Sequence, residues 1–172
     1  MTLLRGLGYL ALLVIAFVVQ VTFFSAFTVQ GIGPNLVLLV VVSAGLARGP
    51  ELAMGLGFTG GLLLDLAPPA DHVAGRWALC LVVVGFLIGR LRARAQGATP
   101  IEVIAVVAVA SFVASSLFVF TGFVLGDTAW SANAALRVIL IGLAYDCAVA
   151  PFLMPLLGKA EERLSPPQVG LA

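Results

Sequence analysis

Long apolar stretches alternate with short polar breaks along this chain. Six stretches stand out, at roughly 7–27, 34–47, 51–66, 76–89, 101–125 and 136–157. A helix that crosses a bilayer needs about 20 apolar residues, with a usual lower limit near 17. The first, fifth and sixth stretches are long enough to tilt. The second, third and fourth are nearer the limit, so they must stand almost upright, thin the bilayer or be shielded by longer neighbours. The pattern predicts an all-α membrane protein, a six-helix transmembrane bundle forming one domain over residues 1–158, with a short cytoplasmic tail at 159–172. A four-span arrangement with the second and third stretches re-entrant is the alternative.

Local chemistry marks several helix ends. Gly33-Pro34-Asn35 opens the second helix, with Pro34 suited to the first helical position, where its missing N–H would be unpaired anyway. Arg48-Gly49-Pro50-Glu51 reads as a tight turn in which Pro50 starts the third helix in the same way. Thr99-Pro100-Ile101-Glu102 is a capping box. Pro151 and Pro155 each remove a backbone hydrogen bond and are expected to bend the sixth helix.

The charges then give the chain a direction. With a cytoplasmic N-terminus, Arg5, Arg48, Arg90, Arg92, Arg94, Lys159 and Arg163 fall inside, and only Arg76 and Arg137 fall outside. Basic residues collect on the cytoplasmic side of membrane proteins. Six spans with both termini cytoplasmic follow. Leu7 to Phe27 is longer than the 7–15 apolar residues typical of a signal peptide, so a retained anchor is expected.

Composition narrows the function classes. The 172 residues are 62% hydrophobic and 10% charged, against about 25% charged in a soluble domain. That leaves no room for a soluble catalytic domain. A net charge of +1 gives no reason to expect nucleic acid as a partner. Cys80 and Cys147 lie within apolar spans and read as small buried hydrophobes, and the single His72 lies in an outer loop, so neither a disulfide nor a metal or other cofactor is expected. No nucleophile elbow, H-E-x-x-H, phosphate-binding loop or G-x-G-x-x-G after a strand is present. No catalytic residue is assigned.

Three constellations remain. Gly57/Gly61 and Gly85/Gly89 are both G-x-x-x-G spacings, which open a groove for close helix approach. The groove serves either packing of the third helix on the fourth or docking of a partner's helix. Asp65, Arg76 and Arg137 fall at one outer level, as an ionic cluster or as three separate snorkelling side chains. Asp146 lies near the middle of the sixth helix, where an ionised Asp costs about 2.5–3.5 kcal/mol on insertion scales. Gln20, Thr59, Ser115 and Ser116 fall at its depth, and no Arg or Lys does. A protonated Asp146 donating a hydrogen bond to Gln20 or Ser115 is the structural reading. A contact to a partner's polar group, or an ion or proton site, is the functional one.

These elements, in this order, resemble the rod-shape-determining membrane protein MreD family. The likeness rests on Pro34-Asn35-Leu36 before an apolar run, and on Gly57-Phe58-Thr59-Gly60-Gly61-Leu62-Leu63-Leu64-Asp65, which is similar to the family's G-F-x-x-G-L-x-x-D element. A short outer loop, Gly75, a Gly-rich fourth helix and Ala150-Pro151 follow. Asp146 stands where the family often has Asn. The resemblance implies a plasma-membrane scaffold of the bacterial elongation machinery, with a six-helix fold similar to the substrate-binding subunits of energy-coupling-factor transporters. It implies a single-span partner, MreC, and through it MreB, the RodA glycosyltransferase and a class B penicillin-binding protein. The rival is a small-molecule-binding subunit of such a transporter, with Asp65, Arg76, Trp77, Trp130 and Arg137 lining an outward-facing pocket.

Overall fold

A computed structural model describes residues 3–68, 73–92, 97–126 and 131–164. Asp71, His72, Arg94, Gln96, Trp130 and the Ser165-Pro166-Pro167 segment lie outside the described residues. Among the described residues six α-helices follow in order: α1 (Leu3–Thr22), α2 (Leu36–Arg48), α3 (Pro50–Leu66), α4 (Arg76–Arg90), α5 (Pro100–Val124) and α6 (Ala132–Leu164). A 3-10 turn, Phe24–Phe27, and a single bridge between Val29 and Ile32 lead from α1 towards α2. The protein is all-α, as the apolar pattern predicts. Among the described residues, α1, α5 and α6 are long and apolar enough to cross a membrane.

The shortest helix is accommodated by shielding. The 13 residues of α2 span about 20 Å at ~1.5 Å per residue, less than a hydrocarbon core of about 30 Å. Every residue from Leu36 to Gly45 is buried, and α2 touches all five other helices. It is the axis of the bundle. Such a helix can be apolar all round because it meets protein on every side.

The capping signals place two helix starts. Thr99 and Glu102 form the reciprocal box: the Thr99 N–H donates to Glu102 Oε2 at 2.6 Å and the Glu102 N–H to Thr99 Oγ1 at 3.3 Å. Pro50 opens α3 directly after Gly49, which ends α2 at φ +97° and donates its N–H to the Gly45 carbonyl. Two boundaries differ from the sequence reading. α2 starts at Leu36, not at Pro34, because the Asn35 side chain accepts the Leu38 N–H at 2.9 Å and caps the helix one step later. α6 continues through Pro151 and Pro155 as one 33-residue helix and runs on to Leu164. The segment 159–164 is therefore helical; its Lys, Ala, Glu and Arg residues all favour helix.

The most extensive contact joins α3 and α4. A Cβ added at Gly57 or Gly61 would overlap the backbone of Leu81 or Ala78 on α4. One added at Gly85 or Gly89 would overlap the backbone of Ala53 or Pro50 on α3. The two small-residue grooves face one another and are filled by this chain's own helices.

Candidate functional site

The end of the bundle where α2 and α4 start is organised by two buried carboxylates, each at the start of a helix on another part of the chain. A helix leaves its first N–H groups without intrahelical partners and carries partial positive charge there. A buried helix start must find acceptors. At α4, Asp65 supplies them from the end of α3. Its carboxylate accepts the N–H groups of Gly75, Trp77 and Ala78 at 2.9, 3.0 and 3.1 Å. Asp65 is 1% exposed.

At α2, three elements share the task. The Asn35 N–H donates to Asp146 Oδ1 at 2.7 Å, and the Val37 N–H donates to Gln20 Oε1 at 3.2 Å. The Asn35 side chain takes the Leu38 N–H. Ser111 Oγ donates to Asp146 Oδ2 at 2.6 Å. Asp146 is 3% exposed. Its partners are thus a helix N-terminus and Ser111, and both its oxygens accept. Gln20 belongs to the same cap without touching Asp146. Ser115, one helical turn beyond Ser111, lies nearby, while Thr59 turns back to the Gly55 carbonyl of its own helix. Sequence reasoning sought a cation or a polar side chain at the depth of Asp146. The electropositive partner is the backbone at the start of α2, which carries no residue-type signal except Asn35 itself.

Asp65 and Arg76 both lie at the start of α4, but Arg137 does not join them. Arg76 donates from Nη2 to the Phe118 carbonyl at 2.7 Å, and its guanidinium carbon lies 4.0 Å from the centroid of the Phe118 ring. Phe118 in turn stacks on Trp77, with centroids 4.5 Å apart. Arg137 is exposed on α6. Below Trp77 and Phe118 lies a cavity of about 320 Å3, with Gln20, Asn35, Ser115 and Asp146 on its walls. Of the expected pocket residues that are described, Asp65, Arg76, Trp77 and Arg137, Trp77 lines this cavity.

A second polar cluster closes the opposite end of the bundle, and the sequence reading missed it. The Tyr9 hydroxyl donates to the Glu161 carboxylate. Arg48 Nε donates to the Tyr9 oxygen at 2.8 Å and lies 3.8 Å from Glu161 Oε2. Arg48 Nη2 reaches the Glu161 carbonyl at 3.4 Å, and Arg92 Nη1 donates to the Arg48 carbonyl at 3.2 Å. The cluster ties α1, α2, α6 and the end of α4 together. Its signal lay in Glu161, an acidic residue at the basic end of the chain, which becomes visible once α6 is carried past Gly158. Tyr9→Phe removes the hydroxyl that both accepts from Arg48 and donates to Glu161. It is expected to lower stability in detergent by about 1–2 kcal/mol, read as a lower thermal midpoint. An unchanged midpoint would show that the cluster adds no net stability.

The family of the rod shape-determining protein MreD matches residues 1–159. This chain belongs to the MreD family. No curated protein and no solved structure gives a match. The residues that carried the resemblance to MreD now have physical tasks. Asn35 caps α2 and meets Asp146; Gly57 and Gly61 let α3 lie against α4; Asp65 caps α4; and Pro151 lies on the wall of a second cavity, described below. In this MreD-family chain, the sequence elements that define the likeness hold the short central helices in place. The family role is determination of rod shape, within the machinery that fixes that shape.

Proposed function

We propose that this MreD-family protein is a non-enzymatic, multi-pass scaffold of the bacterial plasma membrane. In this reading it binds an MreC-like single-span partner and supports lateral peptidoglycan synthesis, with MreB, RodA and a class B penicillin-binding protein reached through that partner. The observation that carries it is the family match over nearly the whole chain. The surface is consistent: large exposed side chains such as Ile15 on α1, Phe112 and Phe120 on α5, and Phe152 on α6 form apolar helix faces. The α3–α4 groove is occupied internally, so a partner's helix has to use one of these outer faces. Affinity-purifying the tagged full-length chain from membranes tests the reading. A stoichiometric single-span partner is expected; recovery with no such partner but with a bound small molecule would overturn it.

The second reading, a transporter subunit, draws support from the outer cavity. Its volume lies at the lower end of the ~300–1,000 Å3 typical of ligand pockets. Against it, the polar groups of Asn35 and Asp146 and the Gln20 carbonyl are engaged in capping α2.

The proposed topology has six spans, a single domain and both termini cytoplasmic, from the seven-to-two split of basic residues. With Cys80 and Cys147 replaced by alanine, a cysteine placed at Asp71 is expected to react with an impermeant thiol reagent on intact cells. One placed at Gln96 is expected to stay unlabelled until the cells are opened. Labelling at Gln96 in intact cells would reverse the assignment.

A further inference from the structure

The larger cavity, of about 760 Å3, lies beside the Tyr9–Arg48–Glu161 cluster, between α2, α5 and α6. Its interior wall is apolar, built from Leu46, Val103, Ile104, Met154 and the rings of Pro151 and Pro155. Proline has no N–H to offer a ligand, so at these two positions α6 presents ring carbons and no backbone donor. The mouth is different. Arg92 and Glu162 are exposed there, one cation and one anion. Arg48 and Glu161 form an ion pair with each other. The Arg92 guanidinium is held at the mouth by its bond to the Arg48 carbonyl.

We propose that this cavity binds a zwitterionic glycerophospholipid whose headgroup carries a phosphate and a primary ammonium. The apolar wall takes acyl chain, Arg92 takes the phosphate, and Glu162 takes the ammonium. A guanidinium matches phosphate oxygens with paired N–H donors. Sites that select anionic lipids gather several basic residues; among the described residues lining this cavity Arg48 and Arg92 are balanced by Glu161 and Glu162, and Glu162 would repel a headgroup with net negative charge. The volume lies within the ~300–1,000 Å3 range of ligand pockets. The cavity sits at the end of the bundle where the basic residues cluster, so the lipid comes from the leaflet on that side.

Gly158 offers a clean test. It lines the cavity, and a Cβ built there meets nothing within 4 Å. Gly158→Leu therefore extends into the cavity while favouring the helix. The full chain would be reconstituted in nanodiscs of equal phosphatidylethanolamine and phosphatidylglycerol, released, and weighed by native mass spectrometry. Wild type is expected to retain phosphatidylethanolamine in preference. Gly158→Leu, and separately the double change Arg92→Gln with Glu162→Gln, are each expected to cut that retention about tenfold, or 1.4 kcal/mol. Equal retention of the two lipids, preference for phosphatidylglycerol, no bound lipid, or retention that neither variant reduces would each overturn the proposal. Should Gly158→Leu fail to fold, the double variant decides, with an unchanged thermal midpoint showing that loss of the Arg92 bond to the Arg48 carbonyl leaves the bundle folded.

Discussion

Gly61→Leu is expected to leave little folded protein. Gly61 meets the backbone of Ala78, and Gly57 one turn earlier meets that of Leu81. Backbone cannot move aside as a side-chain tip can, so a leucine here must wedge α3 from α4. Overpacking a close-fitted core typically costs about 1–3 kcal/mol even when side chains absorb the strain. A rigid clash exceeds that, against a total stability of about 5–15 kcal/mol. The wedge would also pull Asp65 away from the N–H groups of Gly75, Trp77 and Ala78, three bonds that depend on the same helix spacing. Gly55 is the internal control. It lies on α3, and a Cβ there meets nothing within 4 Å. Gly55→Ala should be neutral or stabilise by up to about 1 kcal/mol, since glycine weakens a helix interior. Size-exclusion profiles and thermal midpoints in detergent measure both. A monodisperse, heat-stable Gly61→Leu protein that has lost only its partner would return the groove to intermolecular docking.

That pair of variants also shows what the sequence made legible. The G-x-x-x-G spacings located the glycines that must be small, because close approach of two helices has a fixed four-residue signature. They left open whose helix fills the groove, since the same spacing serves both uses. Helix starts were legible where a side chain performs the cap, as at Thr99 and Glu102. The starts of α2 and α4 were harder. Their acceptors, Asp146 and Asp65, come from other helices, and Asp146 is separated from Asn35 by 111 residues. Only the packed bundle brings them together. The same holds for Tyr9, Arg48 and Glu161, which meet where α1 begins and α2 and α6 end.

Asp146 gives the second large effect. Leucine at this position would leave the Asn35 N–H and the Ser111 hydroxyl buried without their acceptor. Each unsatisfied buried donor costs about 1–3 kcal/mol, and the start of α2 would lose its nearest negative charge. Because α2 touches every other helix, the loss is expected to disturb the whole bundle, with poor accumulation and failure to restore rod shape in a deletion strain. Asparagine should behave differently. Its Oδ1 can still accept from the Asn35 N–H at the present 2.7 Å, and its amide nitrogen can donate to Ser111 Oγ if that hydroxyl turns to accept. The geometry is preserved and only the charge and the exchangeable proton are removed. Asp146→Asn is therefore expected to restore shape nearly as well as wild type, in line with the Asn that the resemblance associates with this position. Complementation at matched membrane levels, with cell width and length as the readout, separates the two variants. If the Asn variant accumulates normally but leaves the cells round, capping α2 is not the whole task of Asp146. The carboxylate itself would then be at work on the wall of the cavity it shares with Gln20 and Ser115, as an ion-coupled or ligand-binding role requires.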